Sequence, residues 1–227
     1  MSYRRNYRKK TYRKKTNSNY ALTKKVNYLS SVVNSELKYH ESVYVYSIDG
    51  AGTILPFNNI VQGDSQVNRT GNTVLPKWLT LHMALRHNDA TTEESEVIRI
   101  IVFRYWGEGT DAAPNVTVGD ILDIANPLSF LNDNNTGSRG DRERRIQIHK
   151  SYLLALNKSD KALRTFKLNI AVNKPSNKRK EHMKFRSSAT EDAISGGFYV
   201  LVIGENLVGA VEKNSIDVRG KLNFYDN

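Results

Sequence analysis

The fold is decided by the stretch Lys77–Leu85, which reads KWLTLHMAL. One set of alternate positions is apolar and consists of Leu79, Leu81, Met83 and Leu85. The positions between them are Trp78, Thr80, His82 and Ala84. A period of two residues is typical of a β-strand that buries one face. We therefore predict a half-buried strand, with His82 on the face opposite Leu81.

Seven further segments have strand character, because they alternate or are rich in β-branched and aromatic residues. They are Tyr39–Ile48, Val97–Trp106, Ile146–Leu156, Phe166–Val172, His182–Arg186, Phe198–Ile203 and Val218–Tyr225. The continuously apolar Phe198–Ile203 predicts a strand that is covered on both faces. One helix is expected over 118–125, because Thr117 and Asp120 form a variant of the capping box.

Eight strands joined by long loops predict an all-β fold. The polar segments Asn132–Arg145 and Asn173–Lys180 are expected to be surface loops. An eight-stranded jelly-roll sandwich fits this pattern best. An immunoglobulin-like sandwich is the alternative, although it usually has fewer strands and shorter loops. The jelly roll would span residues 37–227, and residues 1–36 would form a basic arm and a linker.

The composition excludes several kinds of function. The 227 residues include no cysteine, which excludes disulfides, thiolate zinc sites and cysteine nucleophiles. The chain has no run of about 18 apolar residues, so membrane insertion is not expected. No paired carboxylates or nucleophile motif stands out, so we predict that the chain is not an enzyme. His82, His87 and Asp89 are poorly spaced for a metal, and neither a metal nor a cofactor is predicted.

The positive charge is concentrated at the N-terminus. The net charge is +11, and residues 1–25 hold ten basic side chains and no acidic one. Of the 34 Lys and Arg, 24 therefore remain for the body, against 23 Asp and Glu. The sequence YRKKT occurs twice, at Tyr7–Thr11 and Tyr12–Thr16, without apolar periodicity. We predict that this arm is disordered until it binds a polyanion.

The arm is the predicted nucleic-acid-binding site. Its cations would neutralise phosphates and release condensed counterions. Its tyrosines can stack on unpaired bases, which favours single-stranded nucleic acid. The predicted binding residues are Arg4, Arg5, Arg8, Lys9, Lys10, Arg13, Lys14, Lys15, Lys24, Lys25, Tyr3, Tyr7 and Tyr12. A nuclear localisation signal in the same cluster is compatible with this function.

The order of several segments carries a family resemblance. They are Gly63–Gly71, Val97–Trp106, the loop to Pro114, Val118–Leu122, Phe198–Ile203 and Leu222–Asp226. With the basic arm, this order resembles the capsid proteins of circovirus-like viruses, whose circular single-stranded DNA encodes a replication initiator. It is also similar to the coat proteins of small satellite RNA viruses.

The resemblance implies a jelly roll of two four-stranded sheets and an icosahedral (T=1) shell of about 60 copies, with the arm inside. The implied function is a self-assembling capsid protein that packages single-stranded nucleic acid, with DNA favoured over RNA. The implied locations are the virion and, during assembly, the host nucleus. A host import receptor and a cell-surface receptor are further implied partners.

Two other functions remain as alternatives. One is a cellular nucleic-acid-binding β-sandwich, and the other is a β-sandwich glycan hydrolase, which needs a pair of carboxylates. Two exposed motifs have several interpretations. The tripeptide Arg139-Gly140-Asp141 is of the integrin-binding type, although a plain surface loop is the simpler interpretation. The basic cluster from Lys178 to Arg186 could bind the genome or glycans, or be a solvated loop.

Overall fold

A computed structural model describes residues 22, 25–26, 37–88, 95–107, 116–138, 144–157, 163–172, 181–185, 193–205 and 213–226. The chain divides into two units, Met1–Glu36 and Leu37–Asn227. In the first unit, the described residues Leu22, Lys25 and Val26 are helical and exposed. Within the described residues, no helix is long and apolar enough to cross a membrane.

The second unit is built from strands. In its described residues they are β1 (Leu37–Ser47), β2 (Thr53–Pro56), β3 (Thr73–Arg86), β4 (Ser95–Tyr105), β5 (Thr136–Ser138), β6 (Ile146–Asn157), β7 (Leu163–Ala171), β8 (Met183–Phe185), β9 (Ala193–Ser195), β10 (Gly197–Gly204) and β11 (Ser215–Asp226). One short helix, α1 (Val118–Ile121), lies between β4 and β5.

The strands form two sheets. In the first sheet, β1, β11, β3 and β7 lie side by side and antiparallel, and the short β8 and β9 extend it to six strands. In the second sheet, β2, β10, β4 and β6 lie side by side, and β5 adds a fifth, parallel strand. The chain changes sheet at each step from β1 to β4, between β6 and β7, and again at β10 and β11. Two four-stranded blocks connected in this way form a jelly roll.

The core lies between the two sheets. The first sheet contributes alternate residues of β3, including Leu79, Leu81 and Leu85, and the second contributes Ile100 and Val102 of β4. A second apolar cluster covers the other face of the second sheet. Its members are Ile101, Phe103, Ile121, Leu122, Ile146, Tyr199, Leu201 and Ile203. Burial of these side chains is the main favourable contribution to folding.

Strand β10 shows how this arrangement follows from sequence. All eight of its residues are buried. Phe198, Val200 and Val202 belong to the core between the sheets, whereas Tyr199 and Leu201 belong to the second cluster. The prediction that this strand is covered on both faces is confirmed.

The eight predicted strands are all present, and the jelly-roll class is confirmed. Three short strands were not predicted, namely β2, β5 and β9. The structure corrects the expectation of two four-stranded sheets, because short strands extend them to six and five. The expected loop Asn132–Arg145 contains β5, which pairs with β6. Helix α1 ends at Ile121, short of the expected Ala125, because the next residue, Leu122, forms a β-bridge with Leu131.

A buried ion pair ties the two ends of the second unit together. Lys38 Nζ lies 3.0 Å from Asp226 Oδ2, and both side chains are almost completely buried. The same oxygen accepts hydrogen bonds of 2.6 Å from the backbone amide and the hydroxyl of Thr70. Burial alone raises the pKa of Asp226, but the bonds from Thr70 and Lys38 outweigh it, so that the pKa lies below its ordinary value.

Candidate subunit-contact surface

The segment that follows α1 folds into a closed loop over the second sheet. Its ends meet where Leu122 pairs with Leu131 and where the amide of Asn132 donates to the carbonyl of Ile121 at 2.9 Å. Leu122 is fully buried in the cluster beneath the loop. The loop therefore has an apolar base that fixes it to the sheet.

Hydrogen bonds within the loop hold its tip. The amide of Ser129 donates to the carbonyl of Asn126 at 3.0 Å, and the amide of Leu128 donates to Asn126 Oδ1 at 2.8 Å. The amide of Ile124 donates to Ser129 Oγ at 3.0 Å. Pro127 favours such a turn because its ring fixes φ. The tip is thus a defined turn, in which local side-chain bonds replace a regular ladder.

Arg99 joins this tip to the sheet. Its side chain projects from β4, where Nε donates to Ser151 Oγ at 3.2 Å. Its Nη1 donates to the carbonyl oxygens of Ser129 and Pro127, the latter at 3.4 Å. Burial lowers the pKa of the Arg99 guanidinium from its ordinary value. The contact is charge-assisted at two loop carbonyls, and such bonds are stronger than neutral ones.

The loop held in this way presents large apolar side chains to solvent. Phe130 is 83% exposed, Ile124 71%, Leu128 60% and Leu153 of the neighbouring β6 55%. Leu128, Phe130 and Leu153 line one open depression, rimmed by polar side chains that include Asp123, Asp133 and Arg99. We call Ile124, Leu128, Phe130 and Leu153 the apolar tip surface.

An exposed apolar group with a polar rim is typical of a protein–protein contact. Because the loop is already ordered, association would cost little additional conformational entropy. This surface was not predicted from the sequence. Its signal there is a run of apolar residues around Pro127, including Ile124, Leu128 and Phe130, interrupted only by Asp123, Asn126 and Ser129.

Most of the sequence-predicted binding residues lie outside the described residues. These are Arg4, Arg5, Arg8, Lys9, Lys10, Arg13, Lys14, Lys15, Lys24, Tyr3, Tyr7 and Tyr12. Lys25 is described, and it is helical and exposed. The structure brings none of the predicted set together in its described part, so the arm's function stays a prediction.

The residues of the other sequence motifs are also described only in part. Arg139-Gly140-Asp141 and Asp89 lie outside the described residues, as do Lys178–Lys180 and Arg186. Lys184 is described and exposed on β8. His82 is exposed on β3, opposite the buried Leu81, as predicted. Within the described ranges, no group of three His, Asp or Glu side chains is placed to hold a metal ion.

Comparison with known proteins gives one informative similarity. No family model matches the chain. A coat protein of Satellite tobacco necrosis virus 2 is 27% identical over 167 residues, which cover 72% of this chain and 74% of that protein. The chain is similar to a viral coat protein. This similarity supports a structural role in a virion and the satellite-virus part of the resemblance, whereas the circovirus-like part stays a prediction.

Two solved structures align with most of the chain at low similarity. Desmodium yellow mottle tymovirus aligns over 85% of this chain and 88% of its own, with 8% identity and a TM-score of 0.38. Infectious bursal disease virus, Gx strain, aligns over 86% of this chain and 33% of its own, with 8% identity and a TM-score of 0.27. The assignment of the jelly roll rests on the strand order within the two sheets.

Proposed function

We propose that this chain is a viral coat protein that assembles into a small closed shell and packages single-stranded nucleic acid through its basic arm. The observation that carries the proposal is the similarity to a satellite-virus coat protein across 72% of the chain. The jelly roll of the described residues is compatible with it, since this architecture is common in viral shells.

Packaging is assigned to the arm because of the way charge is divided along the chain. Residues 1–25 carry ten cations, and the rest of the chain is close to neutral. A near-neutral body lets copies pack without strong mutual repulsion. In a shell of about 60 copies, the arms would supply about 600 positive charges to neutralise phosphates. Contacts of this kind do not read base sequence.

The apolar tip surface is the proposed contact between copies. Phe130 and Leu128 supply apolar area, and the Arg99 contact keeps that area in one orientation. In a closed symmetric shell, the same surface of every copy is buried in equivalent contacts. Truncating Phe130 removes much of this apolar area. The substitution should therefore prevent assembly but not folding.

The cargo and the cellular route are further parts of the proposal. We favour DNA and a nuclear stage, with a host import receptor that recognises the lysine pairs of the arm. RNA is the alternative, and the similarity to a satellite-virus coat protein supports the satellite-virus alternative equally well. A cell-surface receptor would complete the set of partners. Digestion of the packaged nucleic acid by DNase or RNase distinguishes the two cargoes.

The test uses the full chain and two variants. In the first, Arg4, Arg5, Arg8, Lys9, Lys10, Arg13, Lys14 and Lys15 are replaced by Gln, and in the second, Phe130 is replaced by Ser. We expect the arm variant to fold but to package little nucleic acid. The measurement is the ratio of nucleic-acid absorbance to protein absorbance in the ultraviolet spectrum of the purified particles. We expect Phe130→Ser to remain folded but dissociated in size-exclusion chromatography with light scattering.

Leu163→Ser is the matched control, because Leu163 is 53% exposed but lies on β7, away from the tip. It should assemble as the unsubstituted chain does. Normal packaging by the arm variant would refute the function of the arm. If the unsubstituted chain is itself a monomer that binds nucleic acid, the result would favour a cellular nucleic-acid-binding module instead.

A further inference from the structure

The outer face of the first sheet carries its side chains in registered rows. Neighbours across antiparallel strands point to the same side of a sheet. Arg219 of β11 is paired with His82 of β3, and His82 is paired with Lys167 of β7. These three exposed residues therefore form one row across three strands, on the side opposite the core.

Cations exceed carboxylates on this face. The block formed by β1, β11, β3 and β7 presents the cations Lys77, Arg86, Lys167, Arg219 and Lys221, and the carboxylates Glu41 and Asp217. Five minus two leaves a net charge of +3. We call this the cationic face.

Both carboxylates of the cationic face already have partners. Arg86 Nε lies 3.2 Å from Asp217 Oδ2, and Lys221 Nζ lies 2.9 Å from Glu41 Oε1. Arg219 and Lys167, in contrast, make no ion pair with any residue that the structure describes. Their charges are available to an external anion.

The two available cations are arranged to bind more than one anionic group. They are separated by two strand spacings, or roughly 10 Å. An open depression of about 500 Å³ lies between them, lined by His82, Arg86 and Thr165 among others. A flexible polyanion can cross such a depression and contact both cations, whereas a single small anion reaches only one.

Aromatic rings lie at one end of the same face. Lys77 Nζ lies 4.6 Å from the ring centroid of Trp78 and 4.9 Å from that of Tyr225. Lys221 Nζ lies 3.9 Å from the ring centroid of Tyr39. Cations interleaved with aromatic rings are the combination that binds single-stranded nucleic acid without sequence preference.

We propose that the cationic face is a second site for the phosphodiester backbone of single-stranded nucleic acid, with Arg219 and Lys167 as its principal phosphate contacts. The site lies on the folded unit and is additional to the arm. The inference rests on the proposed function, because it takes the packaged strand as the ligand. Its contribution should be electrostatic and independent of sequence.

The experiment measures salt dependence of binding. Full-length protein is titrated against a fluorescein-labelled 30-nucleotide poly(dT), and anisotropy gives the affinity at several salt concentrations. Each lost phosphate contact lowers the slope of log affinity against log salt by about 0.7 for a single strand. Arg219→Gln with Lys167→Gln should therefore lower the slope by about 1.4 and the affinity at 0.1 M salt about 25-fold.

Lys150→Gln is the control for Lys167→Gln, because Lys150 is an exposed lysine on β6 of the other sheet. It should leave the slope unchanged, whereas Lys167→Gln alone should lower it. Equal effects of these two lysine variants would overturn the proposal, because they would reflect net charge only. So would an unchanged slope in the double variant.

The arm variant separates this inference from the proposed function. With the eight arm cations replaced by Gln, binding should weaken but keep a salt dependence that Arg219→Gln and Lys167→Gln reduce further. If the arm variant loses binding and the face variants lose none, the arm proposal stands and the cationic face is refuted. If the unsubstituted chain shows no salt-dependent binding, both proposals are refuted.

Discussion

The ion pair between Lys38 and Asp226 offers a stringent test of the fold, because it joins β1 to the end of β11 within the jelly roll. Asp226→Asn removes the charge but keeps the size of the side chain. It removes the carboxylate that lies 3.0 Å from the buried Lys38 ammonium. Removing one member of a buried ion pair costs about 3–5 kcal/mol. A domain of this kind is stable by only about 5–15 kcal/mol, so the loss is large.

The assay is urea unfolding of dissociated subunits, followed by tryptophan fluorescence. We expect Asp226→Asn to lower the free energy of unfolding by about 3–5 kcal/mol with an unchanged dependence on urea. The double variant Lys38→Met/Asp226→Asn should recover about 1–3 kcal/mol relative to the sum of the single variants, because it removes both members of the ion pair together. A loss below about 0.5 kcal/mol for Asp226→Asn, the level of a surface substitution, would refute this reasoning.

The pair also makes a prediction about pH. The pKa of Asp226 is lower in the folded protein than in the unfolded chain. Its stabilising contribution is therefore fully present above the ordinary pKa of about 3.9 and is lost as the pH falls below it. Between pH 5 and pH 2, Asp226→Asn should lose less stability than the unsubstituted chain. Parallel pH profiles of the two proteins would contradict this assignment.

Three further predictions concern other parts of the described chain. Arg99→Met removes the hydrogen bonds from Arg99 to Pro127, Ser129 and Ser151. Hydrogen exchange of the backbone amides over 123–130 should therefore become faster. Unchanged protection of these amides would show that Arg99 does not hold the loop in place. Burial and the nearby charges of Arg104 and Lys184 lower the pKa of His182. The stability of the protein should therefore fall as the pH drops below about 6.5, the ordinary pKa of histidine. His182→Gln should reduce this fall when the midpoint of thermal unfolding is measured against pH. Gly220→Ala would place a Cβ 2.2 Å from the ring of the buried Phe57, and it should lower the free energy of unfolding in urea by about 1–3 kcal/mol. Gly119→Ala is the control, because its Cβ would meet only Thr117 Oγ1, at 3.8 Å. It should not lower the free energy of unfolding.

The long strands could be predicted from sequence because each one carries its own pattern. The alternation of Lys77–Leu85 defines a buried and an exposed face, and β3 realises both. The continuous apolar run of β10 likewise follows from its position between two apolar clusters. Strands β5 and β9 have three residues each, which is too short to show a period. They exist because neighbouring strands offer free backbone partners, and sequence alone does not reveal those neighbours.

The candidate surfaces were harder to predict. The exposure of Phe130 depends on the bridge between Leu122 and Leu131 and on Arg99, which is distant in sequence. The row formed by Arg219, His82 and Lys167 depends on the register of three strands. Charge along the sequence indicated the arm and the cluster from Lys178 to Arg186, but not the cationic face, because the cations of that face are far apart in the sequence. Local patterns thus predict strands, whereas surfaces composed of several strands require the register.

The most direct test of the proposed coat function is a measurement of particle mass by analytical ultracentrifugation. The sample is the particle that the purified full chain forms with its nucleic acid. Sixty copies of a 25.8 kDa chain predict a closed shell with about 1.5 MDa of protein, together with protected nucleic acid. A single species of one 25.8 kDa chain, unchanged by salt or added nucleic acid, would contradict the proposed coat function.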